Sequence, residues 1–320
     1  MIKNKILITG AVGFIGFHLS KNLLEDGFEV LGIDNINDYY NPTLKKDRLN
    51  KLLLYPKFSF KKVDISDRKK LAEEISSFQP EKVVHLAAQA GVRYSIENPY
   101  AYLDANLTGF LNILEYCRHN GVEGLIYASS SSVYGANTNI PFSTDDKTDS
   151  PIALYGATKK ANELMAHSYS HLYDLHTTGL RYFTVYGPWG RPDMAYYFFT
   201  DKILKGQSIP VYNHGNMKRD FTYIDDIIAG TRLAMEKNYP CDVFNLGNHK
   251  SENLMDMISI IENSLGVKAR IDLQPMQPGD VPESFANINK STEMLGFRPT
   301  TDISDGIPKF IKWYKYYNKI

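Results

Sequence analysis

Cysteine is nearly absent from this chain. The two present among 320 residues, Cys117 and Cys241, are far apart, with no Cys-x-x-Cys and no histidine at metal-ligand spacing, so both read as ordinary reduced thiols. Net charge is absent too: 36 basic and 36 acidic residues cancel, which removes the electrostatic case for a nucleic acid or membrane-surface partner. No apolar run approaches the ~20 residues of a membrane span. Internal repeats and low-complexity segments are also missing. Met1-Ile2-Lys3-Asn4 is expected to lead directly into a strand and not into a signal peptide, which makes the cytoplasm the expected compartment. The length allows a large core and one or two domains.

What the chain does have begins with Lys5 to Thr9, a buried-strand pattern, followed by Gly10-Ala11-Val12-Gly13-Phe14-Ile15-Gly16 and a helix whose apolar stripe is Ile15, Leu19, Leu23. The glycines have separable tasks: Gly10 for a tight turn, Gly13 for close approach of a diphosphate to helix N-terminal N–H groups, Gly16 for close packing. A second strand, Glu29 to Ile33, ends in Asp34, about 20 residues on, where a carboxylate accepts from an adenosine ribose and repels a 2′-phosphate. NAD is therefore expected over NADP. Further along, Tyr155-Gly156-Ala157-Thr158-Lys159 places a phenol and an ammonium on one helical face, and a neighbouring cation favours the phenolate.

Strands are expected near 5–9, 29–33, 58–63, 82–87, 124–128 and 176–182, alternating with helices. This alternation predicts an α/β fold: a Rossmann-type doubly wound parallel sheet, with ligands at the strand ends. After about 185 the pattern loosens into a smaller C-terminal α/β lobe, with a helix near 195–205, Ile209-Pro210-Val211-Tyr212, a helix from Asp225, a strand near 242–246 and three later helical segments. The expected division is 1–185 for the NAD-binding domain, an approximate boundary because later segments re-enter it, and 186–320 for the UDP-sugar-binding lobe. His85, inside an apolar strand, reads as a satisfied core histidine.

The glycine motif, Asp64-Ile65, Leu86-Ala87-Ala88, Ser129-Ser130-Ser131-Ser132-Val133-Tyr134-Gly135, the Tyr155/Lys159 pair and Arg181-Tyr182-Phe183 occur in an order that resembles the extended short-chain dehydrogenase/reductases, specifically the nucleotide-sugar 4-epimerases. The resemblance covers essentially the whole chain. Ala90-Gly91-Val92-Arg93, Tyr186-Gly187-Pro188-Trp189-Gly190-Arg191-Pro192 and Met276-Gln277-Pro278-Gly279-Asp280 look most like the UDP-glucuronate 4-epimerases. It implies a homodimer joined by helices near 100–118 and 152–172, with Leu107, Leu111, Leu114, Leu164 and Tyr169 at the contact. For the cofactor it implies NAD held by Gly10, Gly13, Phe14, Ile15, Gly16, Asp34, Asp64, Ile65, Leu86, Ala87, Ala88, Gln89, Lys159 and Tyr182. The catalytic group becomes Tyr155 as base at the sugar O4, Ser130 as its hydroxyl partner and Lys159 as the cation that keeps the phenol ionised. The substrate is implied to be a UDP-sugar met by Arg93, Ser131, Ser132, Thr184, Arg191, Val211 and Tyr212, with Arg219 on the diphosphate and Asp280 on the uridine ribose.

Thr184 follows Arg181-Tyr182-Phe183 where the UDP-glucose enzymes have asparagine, and Arg191 lies seven residues on; together they point to an acidic sugar. A uronic acid oxidised at C4 is a β-keto acid and loses CO2 if its C5–C6 bond turns perpendicular to the carbonyl plane. Hydroxyls of Ser131, Ser132 and Thr184 could hold the carboxylate near that plane. Gln277 stands where the glucose enzymes have a phosphate-side arginine, and the small Ser284 leaves room for an acetamido group. Open alternatives are an epimerase of neutral or N-acetylated UDP-hexoses, a decarboxylase, a dehydratase, or a non-catalytic Rossmann protein that senses NAD or binds RNA. The decarboxylases and dehydratases carry acids at the serine turn, and the last class loses the Tyr/Lys pair.

Overall fold

A computed structural model describes residues 4–320; Met1-Ile2-Lys3 lie outside the described residues. Its centre is a seven-stranded, wholly parallel sheet. The first six strands are β1 (Lys5–Thr9), β2 (Glu29–Asp34), β3 (Phe58–Lys62), β4 (Lys82–His85), β5 (Gly124–Ser130) and β6 (Thr177–Tyr182). Across the sheet the order is β3-β2-β1-β4-β5-β6, and the strand Cys241–Leu246 then pairs along β6 in parallel register, Cys241 opposite Thr177 and Leu246 opposite Tyr182. Strand order reverses between β1 and β4, so their carboxyl ends splay apart into a crevice, the place where open α/β sheets bind ligands.

Alternation within the strands distributes the core. Ile6 and Ile8 of β1 join one apolar cluster, while Leu7 between them joins another on the opposite face. The first cluster continues without a break through Tyr182, Tyr186, Phe221, Phe244 and Phe310, so the later chain shares its core with the sheet. The second, with Leu31, Val83, Phe110 and Ile113, lies beneath the helices Gly109–His119 and Leu154–Tyr173. Of the stripe expected on α1 (Phe14–Glu25), Leu19 and Leu23 are fully buried, whereas Ile15 is half-buried and faces the crevice.

Beyond β6 the chain builds small sheets around the crevice mouth. Thr184–Tyr186 pairs with Phe221–Tyr223, Lys218–Arg219 lies between Glu252–Asn253 and Glu283–Ser284, and Ser208–Val211 pairs with Arg270–Leu273. No helix among the described residues is long and apolar enough to cross a membrane.

Candidate active site

The crevice begins with the glycine loop. Gly10 has φ +69°, and a Cβ there would stand 2.7 Å from the Ala87 nitrogen, so only glycine lets the loop lie against the end of β4. A Cβ on Gly16 would fall 2.1 Å from the Gly10 carbonyl oxygen: the close packing expected of Gly16 is therefore against the loop itself. Gly13 caps α1 with no side-chain hydrogen bond, which leaves the first-turn N–H groups pointing at the crevice, the arrangement that binds a diphosphate. Asp34 is buried at the end of β2 and accepts from the Ile36 N–H at 2.7 Å; burial pushes its carboxyl above the usual range, against the pull of Lys45. Burial would raise Asp64 too, but hydrogen bonds from Asn35 and Ser66 prevail and hold it low. All fourteen residues expected around the cofactor line this groove, whose enclosed volume is about 260 Å³.

A chain of close contacts positions the catalytic group. Helix Leu154–Tyr173 presses its first turn on the serine turn, where a Cβ on Gly156 would stand 2.5 Å from the Ser132 carbonyl oxygen. Ser130 Oγ accepts from the Ser132 N–H and lies 3.2 Å from Ser132 Oγ. Underneath, Glu163 Oε1 accepts from Ser129 Oγ at 2.7 Å and from Arg181 Nε at 2.8 Å; Arg181 also donates to Tyr134 OH, which donates to Asn245. Burial alone would raise the Glu163 carboxyl, and Arg181 outweighs it, so this ion pair locks the serine turn to the helix that carries Tyr155.

Burial pushes the Tyr155 phenol up, while a hydrogen bond with Ser130 and the charge of Arg191 pull it down. The position of Lys159 differs from a simple cation beside the phenol. Its Nζ donates to the Ala128 carbonyl oxygen at 2.9 Å, and burial lowers its pKa to about 8. The reason is geometric: Lys159 reaches the backbone near the end of β5. His85 is buried and bonded through Nδ1 to Thr9 Oγ1 at 2.8 Å, and burial drops its pKa to about 3, so it stays neutral.

A second cavity of about 670 Å³ adjoins the groove, and Tyr39, Ser130, Tyr155 and Arg191 belong to both walls. Arg93, Ser131, Ser132, Thr184, Tyr212, Arg219 and Asp280 line it as expected. Val211 does not: its side chain is fully buried in the core, because strand alternation turns Ile209 and Val211 inward and Pro210 and Tyr212 toward the cavity. The cations are engaged. Arg191 bonds Asp193 at 2.5 and 3.1 Å, Arg219 bonds Asp280 at 2.6 Å, and the Arg93 guanidinium lies 4.8 Å from the centre of the Tyr212 ring. Sequence reasoning missed Asn35, Asn37, Tyr39, Tyr40 and Lys45, which line the groove from the loop after β2 and from α2 (Thr43–Leu52). The Asn/Asp/Tyr-rich run Asn35 to Asn41 was the available signal.

An uncapped helix terminus, an acid at the end of β2, Lys159 in the groove and Tyr155 at the join of two cavities fit an enzyme that brings a dinucleotide cofactor to a second ligand. Residues 6–247 match the NAD dependent epimerase/dehydratase family, and the chain belongs to it. It is 54% identical to Protein CapI of Staphylococcus aureus, over 98% of this chain and all of that one. With UDP-glucuronate 4-epimerase 4 of Arabidopsis thaliana it shares 49% identity over 98% of this chain and 75% of the relative. The crystal structure of UDP-glucuronic acid 4-epimerase from Bacillus cereus in complex with UDP-glucuronic acid and NAD superposes with a TM-score of 0.91, at 36% identity, over 98% of this chain and 99% of that one.

Proposed function

We propose that this protein is a UDP-glucuronate 4-epimerase, interconverting UDP-glucuronate and UDP-galacturonate with NAD as a cofactor regenerated in every turnover. The observation that carries the reading is the shared wall: Tyr155, Ser130 and Arg191 stand where the cofactor groove meets the sugar cavity. Bound NAD supplies a reversible two-electron acceptor at C4, so the sugar leaves with no net change of oxidation state. The residues do the rest. Tyr155 takes the O4 proton; burial opposes its anion, and Ser130, Arg191 and its place in the first turn of a helix work against that burial. Lys159, anchored on Ala128, holds the nicotinamide ribose. Once the ketone has turned over, hydride given back to its opposite face would set the inverted C4, and Tyr155 returns the proton to O4.

Arg219, Asp280 and Tyr212 hold the uridine diphosphate while the sugar rotates. Thr184, Ser131 and Ser132 keep the carboxylate near the carbonyl plane, with Arg191 as its counter-charge. The acid nearest the serine turn, Glu163, faces away and is occupied by Arg181, which disfavours decarboxylation. Incubation with UDP-glucuronate, UDP-glucose and UDP-N-acetylglucosamine, read by NMR, tests the assignment: UDP-galacturonate from the first substrate is expected, and a UDP-pentose, or turnover of the neutral sugars alone, would refute it.

Residues 1–185 mainly serve the cofactor, with 241–246 re-entering their sheet, and 186–320 mainly the substrate, in a cytoplasmic homodimer that supplies activated uronic acid for polysaccharide biosynthesis. Exposed Leu111 and Leu164, with half-buried Leu107 and Tyr169, support the contact. Leu114 does not, being fully buried within its own chain; Leu103 and Leu172 are exposed in its place. Light scattering at micromolar concentration should give twice the 36.4 kDa chain mass.

A further inference from the structure

Arg48 of α2 is fully buried, yet every hydrogen bond it makes goes to a neutral oxygen. Its Nη1 donates to the Val12 carbonyl at 2.9 Å and to Tyr40 OH at 3.0 Å; its Nη2 donates to the carbonyls of Trp189 at 2.5 Å and Gly190 at 3.2 Å. Nε has no partner among the described residues. Burying a guanidinium with no carboxylate hydrogen-bonded to it is expensive even with the charge of Asp34 in reach, so the contacts it keeps are worth reading.

Apart from Tyr40, which lies just before its own helix, those contacts fall on two loops that are remote in sequence. Val12 lies between Gly10 and Gly13 in the dinucleotide loop, and Trp189-Gly190 immediately precedes Arg191. Trp189 has φ +60°, a left-handed conformation that bulky residues rarely adopt, and the carbonyl so turned is the one Arg48 binds most closely. The Trp189 ring is wedged between Phe17 of α1 and Trp313, at centroid distances of 5.4 and 5.3 Å. Without the guanidinium, the Trp189 turn would lose the contact that opposes its backbone strain.

We propose that Arg48 is a positioning residue, a strut between the dinucleotide loop and the turn that aims Arg191, so that cofactor and sugar carboxylate are gripped through one buried guanidinium. It rests on the uronate reading above. The strut reaches neither the uridine diphosphate end of the cavity nor the catalytic hydroxyls.

The test is calorimetric binding in a Tyr155→Phe background, so that affinity is read without turnover. NAD is titrated first; UDP-glucuronate and UDP-glucose are then titrated into NAD-loaded protein, with and without Arg48→Lys. A lysine keeps the charge but offers a point donor in place of a fork, and cannot hold both loops. Affinities for NAD and UDP-glucuronate should each fall about tenfold, the size of one lost hydrogen bond to a charged group. UDP-glucose, which has no carboxylate, should change less than about threefold. A parallel fall for both sugars, or unchanged UDP-glucuronate affinity in a cooperatively unfolding variant, overturns the strut. Should Arg48→Lys fail to fold, Tyr40→Phe removes one acceptor and should give the same pattern at about threefold; equal effects on both sugars there also overturn it. A parent protein that binds both sugars equally refutes the uronate reading itself, before Arg48 is changed, and the strut's carboxylate role falls with it.

Discussion

The two sides of the cleft are built from different material. On the cofactor side the contacts are backbone: an uncapped helix terminus, a loop pressed on Ala87, a glycine packed on a carbonyl. On the sugar side they are long side chains from dispersed loops, and two of the cations are paired with acids that the substrate must displace or share, Arg191 with Asp193 and Arg219 with Asp280. Arg191 and Asp193 form a desolvated, doubly hydrogen-bonded pair in which each holds the other's charged form. An incoming carboxylate or diphosphate must offer the guanidinium comparable hydrogen bonds before either acid gives way. The backbone side is preformed, while the cations of the side-chain side are held in place by internal anions.

The strongest way to sharpen this contrast acts where the sides meet. Tyr155→Phe should lower turnover by a factor of ~10²–10⁴ and leave binding of both NAD and UDP-sugar intact; more than about a tenth of parent activity would remove Tyr155 as the base. Next comes Gly16→Ala, which puts a Cβ on the Gly10 carbonyl and forces the loop to move, at an overpacking cost of ~1–3 kcal/mol. NAD affinity should fall at least about tenfold while uridine diphosphate affinity holds; equal losses would show that the sides are not built separately.

On the sugar side, Thr184→Val removes one donor at nearly constant shape, costing ~1–3 kcal/mol if it leaves a bound carboxylate short of a partner. The loss should be confined to UDP-glucuronate and be accompanied by CO2 and a UDP-4-keto-pentose, read by mass spectrometry. The smallest expected effect is a pH slope. Lys159 titrates at about 8, below its ordinary range, so the folded protein stripped of NAD sheds this proton before the unfolded chain does. Stability should therefore rise with pH from about 8 up to the ordinary lysine range, and Lys159→Met should flatten that segment of the thermal-unfolding profile.

Legibility in the sequence follows the same division. The strands of the sheet and the glycine loop fall where expected, because buried parallel strands read as apolar runs and backbone contacts need particular residues at fixed spacing. Val211 was misplaced because alternation in a four-residue strand gives no hint of which face is the core. Leu114 looked like a contact residue because a helix buried on one face and associating on another has apolar residues on both. The pairing of Arg219 with Asp280 joins residues 61 positions apart and leaves no periodic trace. Arg48 was invisible for a plainer reason: on a short, polar helix, an arginine that bonds only neutral oxygens has no sequence signature.

The seventh strand bears on how the molecule is made. During synthesis, β6 emerges with a row of unpaired N–H and C=O groups along one side, and its partner Cys241–Leu246 is not yet translated. For that interval the nascent chain carries an open, fully buried-type edge, a template for pairing with any other strand nearby. A ribosome-bound product stopped before Leu246 should depend on chaperones, and one extended well past it should not. The residue that ends this interval lies more than 60 positions after β6, so a truncation short of it would be felt first as aggregation of the central parallel sheet.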